Sequence, residues 1–80
     1  MGINEAVRKR IIELRDNKRW KTRPLAEYSG IPDATLRNIL DHRTENINIA
    51  TIKKICDGLG ITITDFFDTH EFRNLEQEIK

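Results

Sequence analysis

Residues 29–40 of this 80-residue chain read SGIPDATLRNIL and interrupt what would otherwise be one continuous helix. Gly30 lacks a side chain, so it readily takes the positive φ that a residue just past a helix end often needs. Pro32 fits the first turn of a following helix, where its missing N–H costs nothing. The stretch therefore predicts two short helices that meet at a tight turn.

The sequence on both sides of this turn is also helical in pattern, because apolar residues recur at the spacing of one helix face. The pattern predicts helices over about 4–17, 22–29, 32–41 and 49–59, and a last core turn over 64–68. Asn4 and Asn48 are the expected N-caps. Only residues 60–64, GITIT, alternate like a strand, and they are too few to form a sheet.

The expected core follows from the same spacing, and Trp20 is expected to fill the corner between the first two helices. The core positions are Ile3, Val7, Ile11, Leu14, Leu25, Ala26, Ile31, Leu36, Ile39, Leu40, Ile49, Ile52, Ile55, Cys56, Leu59, Phe66 and Phe67. In the tail, Phe72, Leu75 and Ile79 share one face of a possible short sixth helix. We therefore expect an all-α fold, a compact five-helix bundle over residues 1–68 with a tail over 69–80.

Composition narrows the class of protein. With 38% hydrophobic and 34% charged residues, the chain should be a folded, soluble domain. Its single cysteine excludes an internal disulfide and any multi-cysteine zinc site. The first residues contain no apolar signal region, and no window is apolar enough to span a bilayer. We expect a cytoplasmic protein.

The charge distribution is uneven although the net charge is only +1. Residues 1–43 hold ten Lys and Arg against six Asp and Glu, whereas residues 44–80 hold four against seven. This asymmetry indicates either a face for an anionic partner or an ordinary mixed surface. Nothing in the sequence indicates catalysis: His42 and His70 lack a metal-ligand spacing, and no phosphate-binding loop or nucleophile motif occurs. We expect no enzyme activity, cofactor or metal.

Three segments, taken in order, resemble one family. RIIELR (10–15), LAEYSGIPDATLRNIL (25–40) and INIATIKKICDGLGITITDFF (47–67) are similar to the Cro/repressor-type (XRE-like) helix-turn-helix family. The resemblance covers about residues 5–68. It implies a lambda-repressor-like DNA-binding domain of a transcriptional regulator, which binds a double-stranded DNA operator as a dimer and inserts the helix over 32–41 into the major groove.

The resemblance also implies which residues contact DNA. The base-facing residues are Asp33, Ala34, Thr35, Arg37 and Asn38, and the phosphate-contacting residues are Lys21, Thr22, Arg23 and Arg43, with Arg19 nearby. Arg37 suits guanine O6 and N7, Asn38 suits adenine N6 and N7, and the Thr35 methyl suits thymine. For Asp33 the favoured role is to stabilise the first turn of its helix, because phosphates repel a carboxylate.

The chain departs from the family pattern at three places. Arg15 matches an arginine that usually pairs with a glutamate near the end of the recognition helix, but Leu40 stands in that second position. Arg15 is therefore expected to reach Asp41 or to stay in solvent. His42 replaces a common glycine, which leaves the path of this loop open; a histidine can adopt a left-handed conformation there at some cost. Thr22 replaces a glutamine, which is longer.

The sequence leaves the assembly open. The tail either covers the domain's own core or forms, together with the fifth helix, a two-fold dimer seam with a second copy, and we favour the homodimer. No small-molecule effector is expected. A repressor is the favoured interpretation, and the alternative is a protein-interaction module, such as an antitoxin that binds a partner toxin.

Overall fold

The computed structural model describes residues 1–79, which form six helices and no strand. The helices are α1 (Ile3–Asn17), α2 (Thr22–Ser29), α3 (Asp33–Leu40), α4 (Ile49–Leu59), α5 (Ile63–Phe67) and α6 (His70–Arg73). This confirms the all-α prediction, and α2 has the predicted bounds. Within residues 1–79, no helix combines the length and the apolar character needed to cross a membrane.

Helices α1 to α4 all end in the same backbone motif, which has a left-handed residue just past the helix. These residues are Arg19, Gly30, His42 and Gly60, with φ of 59°, 68°, 64° and 74°. Each donates its N–H to the carbonyl three residues earlier, and the next residue donates to the carbonyl five before it. This is the Schellman pattern, which satisfies the carbonyls that a helix end leaves free. His42 takes the left-handed conformation that the sequence had left open.

The predicted core is largely confirmed. The fully buried side chains include Ile11, Leu25, Leu36, Ile55 and Phe66, contributed by all of α1 to α5. Ile49 is the exception: its side chain is 61% exposed, so its assignment to the core was wrong. It lies in the first turn of α4, and residues 48–50 there are all exposed because this turn extends past the edge of the core.

The helix starts required two corrections. Asn48 is confirmed as an N-cap, since its Oδ1 accepts the Ala50 N–H at 2.7 Å. Asn4 is not an N-cap, because α1 begins one residue earlier, after Gly2. The Asn4 amide instead donates to the Glu45 carbonyl and ties the loop before α4 to α1. α3 is also shorter than predicted, because Pro32 is its N-cap rather than its first helical residue.

Helix α2 packs most extensively against α4, at a point where Gly58 faces Ser29. A Cβ on Gly58 would lie 2.8 Å from the Ser29 N atom and 2.9 Å from its Cα. A side chain larger than hydrogen therefore cannot fit at residue 58 without separating the two helices. This close contact fixes α2 and, through the Gly30 turn, the start of α3.

The tail is only briefly helical. Phe72 packs on Phe66 and Phe67, with ring centroids 6.1 Å and 4.8 Å away, so it covers the domain's own core. The helix ends at Arg73, and Ile79 is 89% exposed. Phe72, Leu75 and Ile79 therefore do not share one helix face. Lys80, the last residue of the predicted tail, lies outside the described residues.

Candidate nucleic-acid interface

Helix α3 has two faces with different chemistry. Leu36 and Ile39 are buried in the core, with 0% and 2% of their surface exposed, and α3 packs there against α1 and α2. The residues between them point outward: Ala34, Thr35, Arg37 and Asn38 are all exposed. Because residues three and four apart share a face, burying two apolar positions turns the polar positions toward solvent.

Arg37 and Asp33 lie one turn apart on this outward face and form an ion pair. Arg37 Nε lies 2.8 Å from Asp33 Oδ2, and the Arg37 side chain remains 62% exposed. The carboxylate is paired with the Nε of the guanidinium, and most of the Arg37 side chain stays in solvent. The other carboxylate oxygen, Asp33 Oδ1, is buried and has no hydrogen-bond partner within residues 1–79. Asp33 thus lies at the helix start and supports Arg37.

The start of α2 brings together three of the residues implied for phosphate contact. Lys21 and Arg23 are exposed, and Thr22 between them is half-buried. Within residues 1–79 no side chain caps α2, and because Pro24 has no N–H, the first-turn N–H groups that can face an anion are those of Thr22 and Arg23. Arg23 also forms a 3.4 Å ion pair with Glu27, but its side chain is 76% exposed.

Arg15 reaches this same helix start and corrects the expectation that it reaches Asp41 or stays in solvent. Its Nη1 donates to Thr22 Oγ1 at 3.0 Å, and its Nε and Nη2 bond Asp16 Oδ1. The side chain is 21% exposed. Because Leu40 offers no carboxylate near the end of α3, Arg15 takes its partners from its own neighbour and from α2.

Arg43 lies at the other end of α3. It follows the left-handed His42, and its side chain is exposed. Its backbone N–H donates to the Asn38 carbonyl at 2.9 Å, which anchors the residue to the last turn of α3. The structure thus places exposed cations at both ends of the α2–turn–α3 unit, with the polar face of α3 between them.

Two arginines with structural importance were missed at the sequence level. Arg8 is buried, with 8% of its surface exposed, and donates to carbonyls of α3 and of the loop that follows it. Arg10 donates from Nε to the Phe66 carbonyl at 2.8 Å and from Nη2 to the Asp65 carbonyl at 2.9 Å. The sequence carried a signal that Arg8 faces inward, because it precedes the core residue Ile11 by three positions and so shares its helix face. It also follows the core residue Val7 directly.

No group of three or more His, Cys, Asp or Glu within the described residues could hold a metal ion. Burial raises the pKa of the Cys56 thiol, and the nearby Lys53 offsets part of that rise. A hydrogen bond from its own backbone lowers the pKa of Glu71. Neither group lies on α2 or α3.

The sequence and fold match known proteins. A family model described as the Cro/C1-type HTH DNA-binding domain matches residues 10–71. The crystal structure of prophage Lp1 protein 11 is similar to this chain with a TM-score of 0.80 and 28% identity, over 94% of this chain and 100% of that one. No curated protein matches the sequence. The family model confirms the resemblance seen in the sequence and spans most of the chain, which therefore belongs to the Cro/C1-type helix-turn-helix DNA-binding domain family.

Proposed function

We propose that this chain is a sequence-specific transcriptional repressor that inserts α3 into the major groove of a double-stranded DNA operator. One observation carries the proposal: α3 buries Leu36 and Ile39 and presents an exposed, mostly polar face between two exposed cationic ends. A helix of this kind, braced by a second helix across a tight turn, is the reading element of helix-turn-helix proteins. Residues 1–68 form the DNA-binding domain in this proposal, and residues 69–80 form its tail.

Base reading falls to the exposed residues of α3. The terminal nitrogens of Arg37 suit a bidentate contact to guanine, and Asn38 suits adenine. Thr35 and Ala34 contribute smaller contacts, including apolar contact with a thymine methyl. Asp33 contributes through Arg37, since its carboxylate is already engaged with the Arg37 Nε.

Phosphate contacts position the domain on the duplex without reading sequence. At one end of the reading face, Lys21, Thr22 and Arg23 surround the free N–H groups of α2. At the other end, Arg43 leaves the last turn of α3. The half-buried Arg15 places its positive charge against Thr22 and strengthens the anion site there.

A homodimer completes this proposal, because a single α3 reads only a short half-site. The candidate seam is an open surface depression of about 560 Å³ between α5 and α6, where Ile63 and Phe67 lie beside the charged Asp68 and Arg73. We place the two-fold seam at this depression. Light scattering should give twice the 9.4 kDa chain mass. Thr64→Arg, at the rim of the depression, should return the monomer mass, and an unchanged mass would move the seam elsewhere.

The function is tested by selecting DNA sites from a random pool with the purified protein. On the selected operator, Arg37→Ala should cost about 1–3 kcal/mol at one base pair and relax the preference there. Arg23→Ala should weaken binding to all sequences alike and reduce the salt slope by about 0.9. Lys9→Ala is the matched control, because Lys9 is an exposed cation beside α6.

Two results would contradict the proposal. An Arg37→Ala variant with unchanged affinity and base preference would show that the reading face is misplaced. A wild-type protein that selects no site, and whose DNA binding does not weaken with salt, would favour a protein-interaction module. Repression itself is tested by placing the selected operator at a promoter and measuring transcription with and without the protein.

A further inference from the structure

We propose that Arg8 is a positioning residue for DNA binding, which holds the end of α3 and the loop carrying Arg43 in their phosphate-contacting geometry. This inference rests on the proposed function. Arg8 Nε donates to the Ile39 carbonyl at 2.7 Å, and Arg8 Nη2 donates to the Thr44 carbonyl. Ile39 lies in the last turn of α3, and Thr44 lies directly after Arg43. One side chain from α1 therefore binds backbone carbonyls on both sides of Arg43, the residue proposed to contact phosphate.

The chemistry of the contact suits positioning. The guanidinium is planar, and its donors point in fixed directions, so two acceptors bound to it are fixed relative to each other. Both acceptors of Arg8 are backbone carbonyls, and within residues 1–79 no carboxylate forms an ion pair with it. A buried cation held only by carbonyls depends on both of them to replace its lost hydration. The loop cannot shift without leaving that charge unsatisfied.

The backbone at this helix end needs such support. His42 takes φ of 64° although it carries a side chain, and an L residue reaches that region only at a cost. Its N–H bond to the Ile39 carbonyl is long, at 3.4 Å. The 2.7 Å bond from Arg8 goes to the same carbonyl and is the shorter of the two. Arg8 thus stabilises a left-handed helix end that glycine would adopt without strain but histidine does not.

Arg8 also connects α1 to α3, a connection that the family pattern assigns to a different arginine. The arginine expected to tie the first helix to α3 is Arg15, but it binds Thr22 and Asp16 instead. Arg8 connects α1 to α3 from about two turns earlier in the chain, and it does so through the backbone rather than through a carboxylate. Its inward position also excludes a direct DNA contact, since only 8% of its surface is exposed.

The test is a double-mutant cycle on the full-length protein with the selected operator. Arg8→Met is combined with Arg43→Ala and, as the matched control, with Arg23→Ala. If Arg8 positions Arg43, the factor by which Arg43→Ala weakens binding should fall to less than half in the Arg8→Met background. The factor for Arg23→Ala should not change, because Arg23 lies on α2 and has no contact with Arg8. An unchanged Arg43→Ala factor would overturn the proposal, as would equal reductions at both arginines.

A second measurement keeps the proposal testable if Arg8→Met fails to fold. Arg8→Lys retains the charge but replaces the two-armed donor with a single ammonium group. Hydrogen exchange of the Arg43 amide should then accelerate, while exchange of the Ile31 amide at the equivalent end of α2 stays constant. Equal changes at both amides would indicate general destabilisation and refute positioning. This readout needs no DNA, so a wild-type protein that binds none would refute the proposed function while leaving the Arg8 result intact.

Discussion

The contact between Gly58 and Ser29 allows a sharp prediction, because it joins α4 to α2, the helix that leads through the Gly30 turn into α3. Replacing Gly58 by alanine adds one methyl carbon on the face of α4 that meets α2. That carbon would lie 2.6 Å from Ser29 Oγ, 2.8 Å from Ser29 N and 2.9 Å from Ser29 Cα. The hydroxyl can rotate away, but the two backbone atoms move only if α2 moves.

The size of the stability loss follows from how far α2 and α4 must move apart. Ordinary contact begins at 3.4 Å, so relief of the 2.8 Å contact requires α2 and α4 to separate by about 0.6 Å. Overpacking of this kind costs about 1–3 kcal/mol, and a contact with backbone belongs at the upper end. The change from glycine to alanine inside a helix also stabilises the helix by about 1 kcal/mol, which offsets part of that cost. We expect Gly58→Ala to lower the free energy of unfolding by about 2 kcal/mol, or Tm by about 8–16 °C for a domain of this size.

Thermal and denaturant unfolding followed by circular dichroism would measure the effect. Lys54→Ala is the control, because Lys54 is exposed on the same helix and its replacement should change stability by less than about 0.5 kcal/mol. Gly58→Ser should be at least as destabilising as Gly58→Ala. If Gly58→Ala unfolds at or above the native Tm, the helices do not approach as closely as described and the argument fails.

Three further predictions concern single side chains. His42→Gly should stabilise the domain by about 0.5–1 kcal/mol, because glycine reaches positive φ without the strain of a side chain; Arg19→Gly, at φ of 59°, should act in the same direction in the same unfolding assay. Asp33→Ala should raise the affinity for unselected DNA and lower the preference at the base pair proposed for Arg37 by about 0.5–1 kcal/mol. Competition binding that shows neither change would refute the role of Asp33 in supporting Arg37. Burial raises the pKa of the Cys56 thiol above its ordinary 9.0, so its contribution to stability is full below pH 9.0 and is lost as the pH rises further. Denaturant titrations at about pH 7 and about pH 10 should therefore show a larger loss of stability in the native chain than in Cys56→Ala, and equal losses would contradict it.

Local patterns predicted the fold because they act over a few residues. The turn at Gly30 and the bounds of α2 follow from backbone preference and apolar spacing, and both are confirmed. The same spacing predicted which positions of α3 are buried and which are exposed. The contact of those exposed residues with DNA stays a prediction.

Contacts between distant segments account for what the sequence did not reveal. Asn4 looked like an N-cap, but its amide binds the Glu45 carbonyl, 41 residues away. Arg8 and Arg15 are both arginines of α1, and only the placement of α2 and α3 decides which carbonyl or hydroxyl each one meets. Ile49 has a core spacing, yet it lies past the edge of the core. In each case the partner comes from tertiary structure, which periodicity along one helix does not describe.

The division of α3 into two faces has a consequence for how this protein can change. Ala34, Thr35 and Asn38 are exposed, and their side chains make no hydrogen bond to other residues within the range 1–79. Variation at these three positions is therefore nearly free of folding cost, whereas Leu36 and Ile39 tolerate little. A combinatorial library confined to the three positions should yield mostly folded proteins, and the DNA sites that they select would test the proposed reading face. The same helix then serves as a fixed frame with an interchangeable surface, and related chains can diverge in target without diverging in stability.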